Sequence, residues 1–126
     1  MNKGDSMKTK NKKMIPCVIT RSGWLRGGGW KTSRLLTREG KRCTVGFLAR
    51  VLGAPDSCIL NESVIHKLWG LPRAVEDRVN EFDEENFVAL YHAYKVNDDE
   101  SLSESKRERD LKALGLKMGV CFIFLN

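Results

Sequence analysis

Histidine is almost missing from this chain. His66 and His92 are the two present, beside three prolines, four cysteines and an aromatic share of 8%. So few imidazoles leave little material for a His-based acid–base pair or a zinc site. The cysteines (Cys17, Cys43, Cys58 and Cys121) form no C-x-x-C pair, so the usual zinc and thioredoxin spacings do not occur. No apolar run approaches the ~18–20 residues that span a bilayer, which argues against a membrane partner. The basic N-terminal stretch has no apolar h-region, so it is not read as a secretory leader. Free thiols and a cytoplasmic protein are expected. No cofactor, metal or catalytic residue is implied.

Charge is present in quantity and is unevenly placed. Residues 1–50 hold 13 Lys or Arg against two acids, a balance of +11. Residues 51–126 hold 9 against 14, a balance of −5. Such asymmetry suggests one surface suited to polyanions or acidic protein. At 126 residues and 41% apolar content, the chain can bury a core without crosslinks.

Residues 1–13 are nearly devoid of apolar side chains and are expected to form a mobile basic tail; residues 14–126 are expected to form a single α+β domain. Ile15–Thr20 is short, apolar and β-branched, and reads as a strand starting near Pro16. Thr32–Thr37 reads as a second strand, followed by a turn at Arg38-Glu39-Gly40-Lys41 with Gly40 at positive φ. Val45, Phe47, Leu48, Val51 and Leu52 share a helical face after Thr44, and Gly53-Ala54-Pro55 stops that helix. Val64, Leu68, Trp69 and Leu71 suggest a short helix ended by Gly70 and Pro72. From Asp83 to Val96 the stripe Phe87, Leu90, Tyr91, Tyr94 marks the clearest helix. Ser101 or Ser103, with Glu104, opens another in capping-box style. Leu111 and Leu114 are its expected core residues, and Gly115 its left-handed end. Val120–Leu125 is apolar throughout and reads as a strand covered on both faces. The expected fold is α+β: a small, mainly antiparallel sheet with three to four helices packed on it and the C-terminal strand central.

Gly29-Trp30-Lys31-Thr32 imitates the end of a phosphate-binding loop, but that pattern needs Gly directly before Lys, and Trp30 interrupts it. The wider segment Arg21-Ser-Gly-Trp24-Leu-Arg26-Gly-Gly-Gly-Trp30-Lys31 offers aromatic faces and cations on a pliant backbone. That combination suits bases and phosphates. Arg34, Arg38, Lys41 and Arg42 follow. The candidate partner-binding set is therefore Arg21, Trp24, Arg26, Trp30, Lys31, Arg34, Arg38, Lys41 and Arg42. The competing reading packs at least one of these tryptophans into the core and leaves the cations in solvent. Cys43, just before a helix and after Lys41-Arg42, is the one nucleophile candidate, because cations and a helix N-terminus favour thiolate. It has no base in a recognised motif, and a structural cysteine is the plainer reading. The acidic stretch from Ala74 to Asp110, with 12 acids against 5 bases, reads mainly as solvated helix surface.

Leu35-Leu36, Gly40-Lys41, Cys43-Thr44-Val45-Gly46-Phe47-Leu48-Ala49 and Gly53, with Asn97-Asp98, Arg107-Glu108 and the apolar C-terminal strand, resemble a pattern in small, poorly characterised bacteriophage and prophage accessory proteins. The resemblance covers residues 23–125 and brings no catalytic residue. It implies a phage context, a class that includes anti-CRISPR inhibitors of host defence. The combined expectation is a non-enzymatic binding protein. It would inhibit a host nucleic-acid-targeting defence complex through its basic surface, against a defence protein or ribonucleoprotein in the bacterial cytoplasm. The alternatives are a direct DNA- or RNA-binding regulator and, less well supported, a Cys-dependent enzyme. Oligomeric state is open.

Overall fold

The structure is a computed structural model that describes residues 14–63 and 84–126. The expected tail (1–13), the short helix around Val64–Leu71, Phe87's place in the helical stripe and the Asp83 cap lie outside the described side chains.

Strand β1 (Ile15–Thr20) and strand β2 (Val120–Leu125) form where β-branched and aromatic residues concentrate. They pair in parallel, from Ile15 beside Val120 to Thr20 beside Leu125. The mainly antiparallel sheet is thus corrected: among the described residues the sheet is two parallel strands. Alternating apolar residues identify a strand but carry no information on its direction, and β2 meets β1 from the far end of the chain. The expected central position of β2, covered on both faces, is corrected too. Its one strand neighbour among the described residues is β1. Cys17, Ile19, Val120, Phe122 and Phe124 turn into the core, whereas Val18, Cys121 and Leu125 face out.

Thr32–Thr37 does not form a regular strand. Its start is a 3-10 turn, Gly29–Thr32, and the rest makes only single bridges, Arg34 to Ser63 and Leu36 to Leu60. Leu35 and Leu36 are nonetheless buried. The turn after it matches expectation: Gly40 has φ 85° and its amide bonds the Thr37 carbonyl at 3.0 Å.

Helix α1 (Thr44–Val51) packs on β1 and buries Val45, Phe47 and Leu48. Gly46 in its middle is required by space. A Cβ there would lie 2.0 Å from the Leu35 carbonyl oxygen. Gly53 then ends the helix region at φ 98°. The one-turn helix α2 (Asp56–Ile59) follows. Helix α3 (Glu84–Asp98) packs on α1 and on helix α4 (Glu104–Lys117), which covers β2.

The expected stripe on α3 holds in part: Leu90 is buried and Tyr94 packs, partly buried, against the core. Ala89, Leu90, Ala93 and Asn97 are buried, while Tyr91 is 43% exposed. Small alanines let the helices approach closely, and the tyrosines sit at the solvent edge with the Lys95 ammonium 5.6 and 5.3 Å from their ring centroids. In α4 the Ser103 hydroxyl accepts from the Lys106 amide at 3.2 Å, so Ser103 is the cap. Leu111 is fully buried. Gly115 is not the helix end; a Cβ there would lie 2.7 Å from the Phe122 ring and 2.8 Å from the Val120 carbonyl oxygen. The left-handed residue is Gly119, φ 75°.

Candidate functional site

The glycine-rich loop between β1 and α1 carries most of the candidate residues, and one buried side chain anchors it. Asn97, at the end of α3, is 1% exposed. Its Oδ1 accepts from the Thr44 amide (3.0 Å), the Thr44 hydroxyl (2.6 Å) and the Trp24 indole (2.9 Å). A side chain from α3 thereby caps the first turn of α1, which its own N-cap residue, Cys43, leaves uncapped by any side chain. Asn97 Nδ2 donates to the Leu25 carbonyl (3.1 Å) and to Asp98 (2.9 Å). The Asn97 carbonyl accepts from the Gly27 amide at 2.7 Å.

Three further contacts bind the loop to the α3–α4 junction. The Thr32 hydroxyl lies 3.1 Å from Asp98 Oδ1 and 2.9 Å from the Gly29 carbonyl. Gly27 lies against the Arg107 guanidinium, where a Cβ would come within 2.9 Å of Nη2, and Gly29 lies against Glu100, where a Cβ would come within 2.7 Å of Oε1. Arg107 itself is buried and donates to the Asp99 carbonyl (2.6 Å) and to Glu104 (3.1 Å). These glycines serve close approach between backbone and side chains. Burial raises the Asp98 pKa, partly offset by hydrogen bonds from Asn97 and Thr32.

The candidate residues divide by direction. Trp24 is 4% exposed, stacked at a tilt on Phe124 with centroids 4.9 Å apart. Arg21 grips Glu108 with two bonds, 2.8 and 2.7 Å, and reaches the Asn126 side chain at 2.9 Å. Arg26 bonds Glu104 at 2.8 Å, donates to the Arg21 and Trp24 carbonyls, and lies 4.5 Å from the Trp24 ring centroid. Arg42 is buried and bonds Asp56 at 3.0 Å. Its Nη1 has no hydrogen-bond partner among the described residues. Hydrogen bonds from Arg26 and Arg21 hold the Glu104 and Glu108 carboxyls below the ordinary carboxylate range. Three arginines of the basic segment are therefore joined to carboxylates of the later chain.

The remainder stays outward. Trp30 is 74% exposed. Lys31, Arg38 and Lys41 are exposed, and Arg34 is half-buried with its guanidinium on the Asn61 carbonyl at 2.9 Å. Glu39 is exposed on the same turn as Arg38 and Lys41, which lowers the local positive balance.

Cys43 is 1% exposed, and burial pushes its thiol up to about 12. Cys43 is thus the structural cysteine of the plainer reading: desolvation outweighs the backbone donors at the helix start. Cys17 is pushed up to about 12 for the same reason. Cys58 and Cys121 are exposed and unbridged. His92 lies on the exposed side of α3. His66 lies outside the described residues. No cluster of three metal-ligating side chains occurs among the described residues, and no described helix is long and apolar enough to cross a membrane.

Asn97, Asp98 and Arg107 entered the sequence reading only through the resemblance, and none of them was counted among the candidate site residues. Asn97 had one signal, its place four residues beyond Ala93 and seven beyond Leu90 on the inward face of α3. No family model, no curated protein and no solved structure matches the chain.

Proposed function

We propose that the protein is a non-enzymatic binding protein whose contact surface is Trp30 and Lys31 on the loop, with Arg34, Arg38 and Lys41 on the neighbouring segment. The supporting observation is the division within the basic half. Arg21, Arg26 and Arg42 are bound to Glu108, Glu104 and Asp56, whereas Trp30, Lys31, Arg38 and Lys41 stay in solvent. Its partner is an acidic face of another macromolecule. The finer assignment, an anti-CRISPR-like phage protein that blocks a host nucleic-acid-targeting defence complex in the bacterial cytoplasm, rests on the resemblance in sequence.

The test is capture from bacterial lysate with the full chain as bait, with and without nuclease. Reversal of Lys31, Arg38 and Lys41 to Glu removes the retained partner while leaving the urea midpoint unchanged. Retention equal to wild type refutes the reading. A second reading, direct binding to single-stranded nucleic acid, draws on the exposed Trp30 ring beside Lys31, which is the pairing a stacking site uses. Affinity for a free oligonucleotide that falls steeply between ~50 and 200 mM salt is its signature.

A further inference from the structure

Trp30 combines a large apolar ring in solvent with a backbone set in a closed, anchored turn. The indole is 74% exposed. Its turn is closed by the Ser33 amide on the Trp30 carbonyl at 3.2 Å and by the Gly28 amide on the Thr32 hydroxyl at 3.2 Å. The Gly27 amide and Thr32 tie that turn to Asn97 and Asp98. A ring presented this way loses little backbone freedom on association, and an indole offers ~200 Å² of surface to cover.

Its surroundings distinguish between kinds of partner. A nucleic-acid platform needs successive aromatic faces and a track of cations. Here the second ring, Trp24, is buried under Phe124 and Arg26. Arg21, Arg26 and Arg42 are held by carboxylates. The Glu100 carboxylate lies against Gly29, directly before Trp30, and repels a phosphate. One ring, one adjacent lysine and a neighbouring acid fit a protein cavity better than a sugar–phosphate backbone.

We propose that Trp30 is the anchor of the interface, inserted into an apolar pocket of a protein partner whose carboxylates receive Lys31. This rests on the binding function proposed above. Tryptophan is over-represented among the few side chains that dominate association, where truncation weakens binding at least about 30-fold.

The test uses the full chain, Trp30→Ala and the Lys31/Arg38/Lys41-to-Glu triple variant as baits in nuclease-treated bacterial lysate, at 50 and 500 mM salt. A labelled single-stranded 20-mer is titrated separately. Urea midpoints confirm that each variant folds. The expected result is a protein retained by the wild type at both salts, with at least about 30-fold weaker retention by Trp30→Ala, and no 20-mer binding. Loss with the triple variant but not with Trp30→Ala overturns the anchor and leaves the binding reading standing. Full retention by both variants, or no protein retained by the wild type, overturns both. Salt-sensitive 20-mer binding that Trp30→Ala abolishes assigns Trp30 to a base instead and overturns the pocket.

Discussion

Replacing Asn97 by Ala removes the side chain that joins the basic loop to two helices. Four groups outside α3 then lose a hydrogen bond of 3.1 Å or less: the Thr44 amide, the Thr44 hydroxyl, the Trp24 indole and the Leu25 carbonyl. The consequences differ. The Trp24 indole keeps the Thr44 hydroxyl at 3.1 Å. The Thr44 amide keeps no partner among the described residues, and Thr44 is fully buried. An orphaned buried donor costs about 1–3 kcal/mol, and the smaller losses add about 1. The sum is about 3 kcal/mol, a large part of the 5–15 kcal/mol typical of a folded protein. With a urea slope of about 1.5 kcal/mol/M, the midpoint falls by about 2 M. Trp24→Phe tests the same network from the other side, and the double variant shows a coupling of at least about 0.5 kcal/mol because the two side chains share a bond. A midpoint shift under about 0.3 M for Asn97→Ala, or strict additivity with Trp24→Phe, refutes the hub.

Gly46→Ala sets helix propensity against sterics. In an exposed helix the change would stabilise by about 1 kcal/mol, but here the new methyl meets the Leu35 carbonyl oxygen at 2.0 Å. The variant is expected to lose about 3 kcal/mol or more, read by urea unfolding; a gain in stability contradicts the packing of α1 on that segment. Two opposite pH effects are also expected. Glu104 and Glu108 have depressed folded pKa values, so their contribution is complete above the ordinary 4.5 and is lost as pH falls through the folded values. Glu108→Gln is therefore less stable than wild type at neutral pH, and the difference shrinks in acid. Asp98 has a raised folded pKa, so ionising it costs stability as pH rises from 3.8 through the folded value. Asp98→Asn is expected to flatten that decline; unfolding curves from pH 3 to 7 check both, and parallel profiles for all three proteins contradict them.

Local features were legible from the chain because local physics sets them. The strand Ile15–Thr20, the α1 helix starting at Thr44 and the Gly40 turn all depend on residues a few positions apart, whereas the cap of α4, left open between Ser101 and Ser103, falls on Ser103 with Lys106 rather than Glu three residues on. The direction of the β1–β2 pairing was not, since it is decided across the whole chain. The candidate site divided in the same way. Which cations remain free depends on partners 78 and 87 residues away, Glu104 for Arg26 and Glu108 for Arg21. Trp24 turned inward for a bond to Asn97, 73 residues distant. The competing reading of the sequence, one loop tryptophan packed in the core, describes Trp24; the exposed reading describes Trp30. Glycines 27 and 29 looked like flexibility and are close contacts, which only the positions of Arg107 and Glu100 reveal.

Two neighbouring indoles, one sealed and one open, give the account its most direct check. Hydroxyl-radical footprinting read by mass spectrometry reports each side chain separately in the intact protein. Trp30 is expected to oxidise rapidly, and Trp24, 4% exposed beneath Phe124 and Arg26, to be spared until the fold is lost. Equal oxidation of the two rings in the folded protein would mean that the loop is not held against α3 and α4, and the proposed contact surface would have no fixed form.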